Sequence, residues 1–574
     1  MPRKRRKAIM KSYPFYETSV YTNIRQLIDD IDLKYSEDTA YSFRLHPLED
    51  DIQKISFRQL AHDVRCLTTT LRARELKGKK IALIGKLSYG WICTYLSVMA
   101  AGAVLVPLDP EWTVDDLADT IKKAECVALF CGIDTFRNKS EELVAKTGID
   151  FLTLTDGDDH NVTVSTLILE GYERRNSGDT SYEDSEIDED ALSLLVFTSG
   201  TTGKGKGVML SQKSVILDIC SGLQLLEGTK KTIGTLPPHH TYGSTVSVIG
   251  HLIIGTEVYI SSGLKYLPKE IKEQKPGHLV LVPLYLDAFY RRILASAKES
   301  GKDKQLARMV KLMGGLNKAG IDLRRVAFKS VLANFGGELR TVICGGAPLK
   351  QEVIDTFTGL GITIVNGYGI TECAPLVAAN RNKQTKNGSV GMPVPINEVK
   401  INEPDENGEG EILVKGPNVM IGYYKDEEAT AQAFNEDGFF RTGDYGRLDE
   451  EGWLYITGRL KNLIILSNGK NVYPEEIEAA LSDIPGIIDI VVYEGISRRG
   501  SDHNTIVAEI YPDADYFKKN EVEDKYAYFK QHINEYNKTA VSYKKVGLLK
   551  LRDTEFPKNT LRKITRFTLD KTID

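Results

Sequence analysis

One stretch is decisive for the fold of this 574-residue chain: Leu194 to Leu210, reading Leu-Leu-Val-Phe-Thr-Ser-Gly-Thr-Thr-Gly-Lys-Gly-Lys-Gly-Val-Met-Leu. Its apolar ends predict two strands, joined by the loop between them. Glycines let backbone N–H groups turn toward an anion, while hydroxyls add donors and lysines add positive charge. These properties belong to Thr198, Ser199, Gly200, Thr201, Thr202, Gly203, Lys204 and Lys206. The stretch therefore predicts a loop that binds polyphosphate.

This loop differs from a Walker A motif, although Gly200 and the pair Gly205-Lys206 have the spacing of that motif. Gly207 stands where the motif needs Ser or Thr to hold magnesium. The residues that follow predict a strand, and Ser211 is expected to begin the next helix. A flexible linker is the alternative interpretation, and the apolar segments on both sides make it the weaker one.

Composition indicates a globular protein of several domains, with 41% hydrophobic and 27% charged residues. The net charge of −5 gives no general attraction to nucleic acid, so no nucleic-acid partner is expected. The seven cysteines lack paired metal-ligand spacing, which predicts free thiols in a reducing compartment. No signal peptide is apparent, and we expect a cytoplasmic protein.

The order of apolar runs predicts an α/β fold. From residue 80 to 170, short strands such as 81–84, 104–106 and 127–130 alternate with helices, as in a parallel sheet covered on both faces. The uncharged stretch from Leu87 to Leu108 could span a membrane, but its glycines favour a buried helix followed by a buried strand. A second α/β set follows to about residue 380, then a small antiparallel β-barrel or sheet at about 385–456.

Two basic segments indicate a possible membrane contact. The arm from Arg3 to Lys11 carries six basic residues. The insertion at 291–340 has twelve Lys and Arg against four acidic residues, and Leu306, Met309, Val310, Leu312 and Met313 have the spacing of an amphipathic helix. A solvated helix packed on its own domain is an equal alternative to a lipid contact.

A second chemical motif is Asn366-Gly367-Tyr368-Gly369-Ile370-Thr371-Glu372, which we expect to form a glycine turn after a strand at 362–365. Tyr368 can stack on a base, Thr371 can bond a phosphate oxygen, and Glu372 can hold Mg²⁺. Cys344-Gly345-Gly346-Ala347-Pro348-Leu349 also ends a predicted strand, and its glycines permit close approach of a ligand to the backbone. These two strand ends predict a nucleotide site.

Together these motifs resemble the adenylate-forming superfamily of acyl-CoA synthetases, amino-acid adenylation domains and luciferases. The resemblance continues through Phe440-Arg441-Thr442-Gly443-Asp444, Gly458-Arg459 and Pro557 to Arg566, and so covers nearly the whole chain. It implies a large N-terminal domain of βαβ subdomains with the small β-barrel, residues 1–460, and a small mobile α+β C-terminal domain, residues 461–574. It also implies ATP, Mg²⁺ and CoA as the molecules bound.

The resemblance implies a role for each matching residue. Glu372 and Thr198 would hold Mg²⁺, Asp444 the ribose, and Arg459 the ribose and phosphate. Lys563 would be the catalytic lysine of adenylation, although Leu561-Arg562 replaces the commoner Ser-Gly before it. Lys461 would be the hinge, with an ordinary surface lysine as the alternative, and Gly469 would leave room for pantetheine. Thr371 and Glu372 would also act in catalysis. The other implied nucleotide-binding residues are Ser199, Gly200, Thr201, Thr202, Gly203, Lys206, Gly345, Gly346, Ala347, Pro348, Asn366, Gly367 and Tyr368.

The acid that is activated is inferred mainly from an absence. Amino-acid-activating relatives use an Asp near the segment Leu236 to Gly250, which holds no acidic residue here. His240, Tyr242 and Gly345 would instead line an apolar slot, with His240 also acting in catalysis. The basic insertion resembles that of long-chain relatives, so the resemblance implies ATP-dependent activation of a long-chain fatty acid to an acyl adenylate, followed by thioester formation with CoA. One alternative is a fatty-acyl-AMP ligase or an enzyme that loads an acyl carrier protein. Another is a non-catalytic acyl- or nucleotide-binding protein, and monomer and homodimer are both open.

Overall fold

The computed structural model describes residues 15–157, 162–198, 205–381, 384–465, 471–496, 505–558 and 564–573. The contacts between Cα atoms divide the chain into two units. The larger unit comprises Met1–Gly200, Lys204–Glu398 and Val414–Gly438, and the smaller comprises Thr201–Gly203, Val399–Leu413 and Phe439–Asp574. The mobile domain from residue 461 onward remains a prediction.

Strands and helices alternate along most of the chain. The strands are β1 (Thr39–Phe43), β2 (Gln53–Ser56), β3 (Lys80–Ile84), β4 (Val104–Leu108), β5 (Cys126–Cys131), β6 (Phe151–Leu154), β7 (Leu192–Thr198), β8 (Lys206–Ser211), β9 (Lys231–Gly234), β10 (Glu257–Ile260), β11 (His278–Leu281), β12 (Thr341–Cys344), β13 (Thr363–Gly369), β14 (Leu376–Ala379), β15 (Met392–Pro393), β16 (Glu398–Asn402), β17 (Gly410–Lys415), β18 (Gly422–Tyr423), β19 (Phe440–Leu448), β20 (Leu454–Arg459), β21 (Ile464–Ile465), β22 (Asn471–Val472), β23 (Ile487–Gly495), β24 (Thr505–Pro512) and β25 (Leu548–Leu551). The α-helices are Ile24–Tyr35, Phe57–Ala73, Tyr89–Ala100, Val114–Ala124, Ile133–Thr147, Val164–Asn176, Ser181–Asp184, Gln212–Leu223, His251–Ile253, Leu267–Gln274, Pro283–Glu299, Asp303–Lys318, Arg324–Ala327, Lys329–Leu332, Gln351–Gly359, Glu427–Ala433, Pro474–Leu481, Ala514–Lys519 and Lys525–Thr539, and a π-helix spans Tyr242–Gly250.

The largest sheet of the larger unit has the order β18-β8-β7-β4-β3-β5-β6. Strands β7, β4, β3, β5 and β6 run parallel, which confirms the predicted βαβ rhythm. Strand β8 returns antiparallel to β7, and β18 is antiparallel to β8. The phosphate loop therefore joins two neighbouring strands, as predicted, and Ser211 caps the helix Gln212–Leu223.

The uncharged stretch at 87–108 forms a helix, Tyr89–Ala100, in which nearly every residue is buried, followed by the buried strand β4. This is the arrangement that the sequence favours. Among the described residues, helices that combine the length and the hydropathy of a membrane span are absent.

The two other sheets of the larger unit have the orders β2-β1-β10-β9 and β11-β12-β13-β14-β15. Strands β1 and β2 form an antiparallel hairpin. Asn366 to Gly369 differ from the prediction, because they continue β13 where a turn was expected. The reason is a partner strand, since Gly367 and Tyr368 pair antiparallel with Ala379 and Ala378 of β14.

The smaller unit contains the sheet β16-β17-β19-β20, in the region where a small antiparallel barrel or sheet is predicted. Strands β19 and β20 pair antiparallel. A second sheet, β23-β24-β25, pairs β23 with β24 antiparallel and β24 with β25 parallel. The helices Pro474–Leu481 and Lys525–Thr539 contribute Ile477, Phe529 and Ile533 to its core, which gives the predicted mixture of α and β elements.

All seven cysteines are free thiols. Six are buried and Cys126 is half-buried. Burial raises the pKa of Cys66 and Cys220 to about 11 and that of Cys126 and Cys131 to about 12. Within the described part of the chain, His, Cys, Asp and Glu nowhere form a group of three that could hold a metal ion.

Candidate functional site

The phosphate loop begins and ends on paired strands. Thr198, the last residue of β7, is paired in register with Lys206, the first of β8, and its hydroxyl donates to the Lys206 carbonyl at 3.4 Å. Lys123 fixes the same end of the hairpin, because its Nζ donates to the Gly205 carbonyl at 3.0 Å. Ser199, Gly200, Thr201, Thr202, Gly203 and Lys204 lie outside the described residues.

Tyr423 joins the phosphate loop to the predicted magnesium ligand. Strand β18 pairs with β8 and thereby carries Tyr423 to the hairpin. The Nζ of Lys206 lies 4.5 Å from the centre of the Tyr423 ring, and the Tyr423 hydroxyl donates to the Glu372 carboxylate at 3.0 Å. Burial and the nearby Glu372 carboxylate raise the pKa of Tyr423 well above its usual value. Tyr423 thus contacts both Lys206, through its ring, and Glu372, through its hydroxyl.

Tyr423 is not among the residues predicted from the sequence. The available signal is the segment Gly422-Tyr423-Tyr424-Lys425, which combines two aromatic rings and a cation after a glycine. Such a segment is also typical of ordinary surface structure, as Tyr424 illustrates by donating to the exposed Glu125 at 2.9 Å. Only the pairing of β18 with β8 distinguishes Tyr423, which contacts Glu372, from Tyr424, which contacts Glu125.

Glu372 lies in a short 3₁₀ turn, Thr371–Cys373, that follows β13. Its carbonyl accepts a hydrogen bond from the backbone N–H of Met420 at 2.8 Å, which fixes the turn against the segment leading into β18. Gly369 is required just before the turn, because a Cβ there would lie 2.2 Å from the Pro375 carbonyl oxygen. The backbone thus determines where the Glu372 side chain begins.

A buried polar cluster lies behind this turn. Asp218, on the helix that follows the phosphate hairpin, accepts hydrogen bonds from the Leu376 N–H at 3.2 Å and from Nδ2 of Asn418 at 2.9 Å. The same Nδ2 lies 3.0 Å from the Cys373 carbonyl and 2.9 Å from the Leu376 carbonyl. Complete burial raises the pKa of Asp218 well above its usual value. The cluster connects the turn that carries Glu372 to the phosphate hairpin.

Gly345, Gly346, Ala347 and Pro348 follow β12, and Asn366, Gly367 and Tyr368 end β13. These strands are parallel and Cys344 pairs with Asn366, so both predicted segments leave the sheet at the same edge. Gly346 has a φ of +92°, which favours glycine. Gly345 does not need to be glycine on steric grounds within the protein, since a Cβ would meet the nearest atom, Cζ of Tyr242, at 3.4 Å.

Tyr242 belongs to the same edge. Its hydroxyl lies 3.2 Å from the Leu281 carbonyl and 3.3 Å from the Ile343 carbonyl, at the ends of β11 and β12. The structure therefore places two of the predicted acyl-binding residues, Tyr242 and Gly345, next to each other. The Tyr242 hydroxyl is bound to strand carbonyls, so the ring presents an apolar face at this edge.

His240 lies beside His239, which faces a buried aspartate that the sequence of this segment does not indicate. The rings of His239 and His240 are 4.3 Å apart, and Nε2 of His239 lies 3.5 Å from Oδ2 of Asp109. Asp109 follows β4 and is buried, as is His239. The segment 236–250 contains no acidic residue, yet the fold supplies a carboxylate to it from another strand.

In the smaller unit, Asp444 and Arg459 are paired in register across β19 and β20. Nε of Arg459 lies 2.9 Å from Oδ1 of Asp444, whose side chain is buried while that of Arg459 is exposed. Gly443 precedes Asp444 with a φ of +68°, and the Asp444 N–H donates to the Thr442 hydroxyl at 3.0 Å. The two residues predicted to bind ribose thus form one ion pair.

Lys461 is exposed in the short 3₁₀ turn Leu460–Asn462, directly after β20. Gly469 and Lys563 lie outside the described residues. The residues around them are nevertheless paired, since Ile465 pairs with Asn471 and Lys558 pairs with Ile564, both antiparallel. The segments that carry Gly469 and Lys563 therefore start and finish at paired backbone.

Magnesium suits the donors of the larger unit. Mg²⁺ usually takes one or two protein carboxylates and completes its shell with water and substrate phosphate. Glu372 offers one carboxylate, held by the neutral Tyr423 hydroxyl, and the Thr198 hydroxyl lies at the mouth of the phosphate loop. This donor set fits a cation that arrives with a nucleotide.

These features agree with a comparison to protein families. Residues 31–424 match the family described as AMP-binding enzyme, which covers more than half of the chain. The chain therefore belongs to the AMP-binding enzyme family of ligases.

Two named ligases and one solved structure are similar to this chain. A chloroplastic long-chain-fatty-acid–[acyl-carrier-protein] ligase from Arabidopsis thaliana is 28% identical, covering 88% of this chain and 80% of the relative. A long-chain-fatty-acid–CoA ligase from Mycobacterium bovis is 29% identical over 72% of this chain and 71% of its own. Among solved structures, ATP-bound MatB from Rhodopseudomonas palustris superposes with a TM-score of 0.74 at 24% identity, covering 94% of this chain and 97% of that one. At that identity the structural likeness establishes the α/β fold alone.

Proposed function

We propose that this chain is an ATP- and Mg²⁺-dependent long-chain fatty acid:CoA ligase. The carboxylate of the acid would attack the α-phosphorus of ATP, form an acyl adenylate and release pyrophosphate. The thiol of CoA would then attack the acyl carbonyl, form the thioester and release AMP with a proton. The observation that carries the proposal is the Lys206–Tyr423–Glu372 group at the mouth of the phosphate hairpin, in a chain of the AMP-binding family.

The adenylation step needs positive charge because it brings two anions together. Lys206 would supply one charge beside the phosphates, and Lys563 would supply another at the transferring oxygens. Mg²⁺, held by Glu372 and Thr198, would neutralise phosphate charge when bound. Tyr423 would keep the Glu372 carboxylate in place by donating its hydroxyl.

The remaining assignments concern binding. Tyr368 would stack on adenine, Thr371 would bond a phosphate oxygen, and Asp444 would accept from the ribose hydroxyls while Arg459 holds its carboxylate in place. Lys461 would act as the hinge between adenylation and thioester formation, and Gly469 would leave room for the pantetheine arm.

A fatty acid as the substrate is supported by the chemistry of the sheet edge that holds Tyr242 and Gly345. The Tyr242 hydroxyl is bound to strand carbonyls, so an acid beside Gly345 would meet the ring and not a charge. His240 would contact the carboxylate end of the acid. Asp109 lies 3.5 Å from His239. This contact supports a role in which Asp109 positions the histidine, and it does not support a role in which Asp109 binds a substrate amine. The relatives named for long-chain fatty acids support the same substrate class.

An acyl carrier protein is the second candidate acceptor, since the Arabidopsis relative is named for that acceptor. The experiment that tests the proposal measures pyrophosphate exchange and thioester formation for saturated acids, an aromatic acid and an amino acid, with CoA or a carrier protein as acceptor. We expect exchange with long saturated acids and thioester with CoA. Exchange without CoA thioester, but with loading of the carrier protein, would select the second candidate. A chain that binds acid and nucleotide without exchange would be non-catalytic.

A further inference from the structure

Two helices cover one side of the core of the larger unit. The helix Pro283–Glu299 packs on this core through Leu286, Phe289 and Ile293, and the helix Asp303–Lys318 packs through residues at the same kind of spacing. Those residues of the second helix are Leu306, Met309, Val310, Met313 and Leu316. The opposite faces of both helices therefore point away from the core.

These outward faces carry cations. Arg291, Arg292 and Lys298 are exposed on the first helix, and Lys304, Arg308 and Lys311 are exposed on the second. Within the described residues, none of these six makes an ion pair or a side-chain hydrogen bond. Elsewhere on the larger unit, some exposed cations have an acidic partner, as Arg58 has in Glu37 and Lys86 has in Asp134. The six cations are thus a local excess of positive charge in a chain whose net charge is −5.

Other basic residues of the same segment have structural partners. Arg324 pairs with Asp322 at 2.8 Å and donates to the Thr358 carbonyl. Arg325 donates to the carbonyls of Leu339 at 2.7 Å and Gly337 at 2.6 Å. These two arginines hold the segment in place, so the charge that is available to a partner lies on the two long helices.

Exposed apolar side chains accompany the cations. Leu294 stands on the first helix between Arg291 and Lys298, and Leu312 stands beside Lys311 with 57% of its surface exposed. Leu312 was predicted to lie on the apolar face of this helix, but its position one residue before Met313 turns it outward. Val326, which follows the second helix, is 77% exposed. A solvated basic face has no need of such residues.

We propose that these outward faces, together with Val326 of the adjoining helix Arg324–Ala327, bind the surface of an anionic phospholipid membrane. The cations would meet lipid phosphate groups, and Leu294, Leu312 and Val326 would enter the boundary between headgroups and acyl chains. A nucleic acid offers the same phosphate charge but no apolar layer for these side chains. A second copy of this surface would bring like charges together. The proposal does not depend on which acid the enzyme activates.

The test uses the full chain and vesicles of phosphatidylcholine, with or without about one third phosphatidylglycerol. Co-sedimentation is measured for the wild-type protein and for a variant with Lys304→Gln, Arg308→Gln and Lys311→Gln. We expect the wild-type protein to bind the anionic vesicles at low salt and the variant to bind on the order of a hundred-fold more weakly. A second variant, Leu294→Ser with Leu312→Ser and Val326→Ser, should lose binding while keeping its charge.

Matched controls separate this surface from general effects. Lys77→Gln with Lys79→Gln and Lys122→Gln removes three exposed charges elsewhere on the larger unit, and Leu33→Ser with Leu45→Ser and Leu48→Ser removes three exposed apolar residues. Both control variants should bind as the wild-type protein does. Turnover of a short, water-soluble acid without vesicles shows whether each variant is folded.

The basic arm from Arg3 to Lys11 needs its own control because it lies outside the described residues. Deleting residues 2–11 should leave most vesicle binding intact. The proposal fails if the deletion alone abolishes binding, or if the helix variants bind as the wild-type protein does. It also fails if those variants bind vesicles normally and instead lose transfer to an acidic carrier protein, because the partner would then be a protein.

Discussion

The hydroxyl of Tyr423 donates a hydrogen bond to the carboxylate of Glu372, with 3.0 Å between the two oxygens. Tyr423→Phe removes this donor and leaves the ring against Lys206. A hydrogen bond to a charged group contributes about 1.5–3 kcal/mol, so we expect pyrophosphate exchange to fall by about one to two orders of magnitude, with a higher Mg²⁺ requirement. The measurement is exchange rate against Mg²⁺ concentration.

Tyr424→Phe is the matched control, because Tyr424 is the next residue and donates to the exposed Glu125. It should leave the exchange rate and the Mg²⁺ requirement unchanged. Equal losses in the two variants would contradict a specific role for Tyr423.

The amide of Asn418 connects Asp218 to the Cys373 carbonyl of the turn that carries Glu372 and to the Leu376 carbonyl at the start of β14. Asn418→Ala leaves these buried groups without that donor, so we expect the free energy of unfolding to fall by about 1–3 kcal/mol. Asn397→Ala is the control, since Asn397 also donates to the Leu376 carbonyl, at 3.1 Å, but does not reach Asp218. Urea unfolding of the larger unit, followed by its intrinsic fluorescence, distinguishes the two. A greater loss for Asn397→Ala would contradict the importance of the cluster.

The buried pair His251 and His278 predicts a loss of stability in acid. Nδ1 of His251 donates to the Ser247 carbonyl, Nε2 of the two rings are 2.8 Å apart, and Nδ1 of His278 accepts from Thr229. Each ring nitrogen has a partner when both rings are neutral. Burial lowers the pKa of His251 to about 4 and that of His278 well below its usual value.

Unfolded histidines bind protons below about pH 6.5, whereas these two do so only at lower pH. The unfolded state therefore gains protons first, and the free energy of unfolding decreases as pH falls from about 6.5 toward 4, by about 2 kcal/mol at pH 5 for His251 alone. His251→Gln should lower stability at neutral pH but reduce this slope. His46→Gln, at an exposed position, should leave the slope intact. The melting temperature measured across this range would contradict the assignment if both variants kept the wild-type slope.

Substitutions of Gly345 are expected to change which lengths of acid the enzyme activates. Because a Cβ at this position meets only ordinary contacts, Gly345→Ala should fold normally, and Gly345→Met should fill the space beside Tyr242. Each methylene of acid excluded from an apolar slot costs up to about 0.8 kcal/mol, so Gly345→Met should lower kcat/KM most for the longest acids. Gly346→Ala, where φ is +92°, should instead reduce activity with every acid. A uniform loss in Gly345→Met would place the slot elsewhere.

Lys563→Ala tests the assignment of the two half-reactions. The charge is required at the α-phosphate, so the variant should lose pyrophosphate exchange but still convert supplied acyl adenylate to acyl-CoA. Lys558→Ala is the control, because Lys558 pairs with Asp489 at 2.7 Å and Glu555 at 2.6 Å and so has a structural role. It should weaken folding without separating the two steps. Loss of both steps in Lys563→Ala would overturn the assignment.

Local features of the site are predictable from the sequence. Two apolar runs flank the phosphate loop, and the Ser211 cap is encoded by its own residue type, so the hairpin and the next helix need no distant information. The parallel strands β3, β4 and β5 are similarly evident, because each is a short apolar run between helices.

The missed features depend on distant parts of the chain. Tyr423 reaches Glu372 only because β18 adds to β8, and Asp109 reaches His239 from the end of another strand. Gly367 and Tyr368 were expected in a turn because glycine weakens a strand, yet the partner strand β14 outweighs that preference. A single sequence gives residue types and spacing, but it does not say which strand edges meet.

The seven free thiols have a practical consequence for spectroscopy. A folded protein whose cysteines are mostly enclosed, with thiolate formation pushed to high pH, reacts slowly with maleimide or iodoacetamide reagents. One cysteine introduced at Leu33, which is 85% exposed, and a second at Tyr526 of the smaller unit would then label selectively against this background. The native cysteines thus contribute little labelling of their own, and distances between the two units can be followed by fluorescence during turnover.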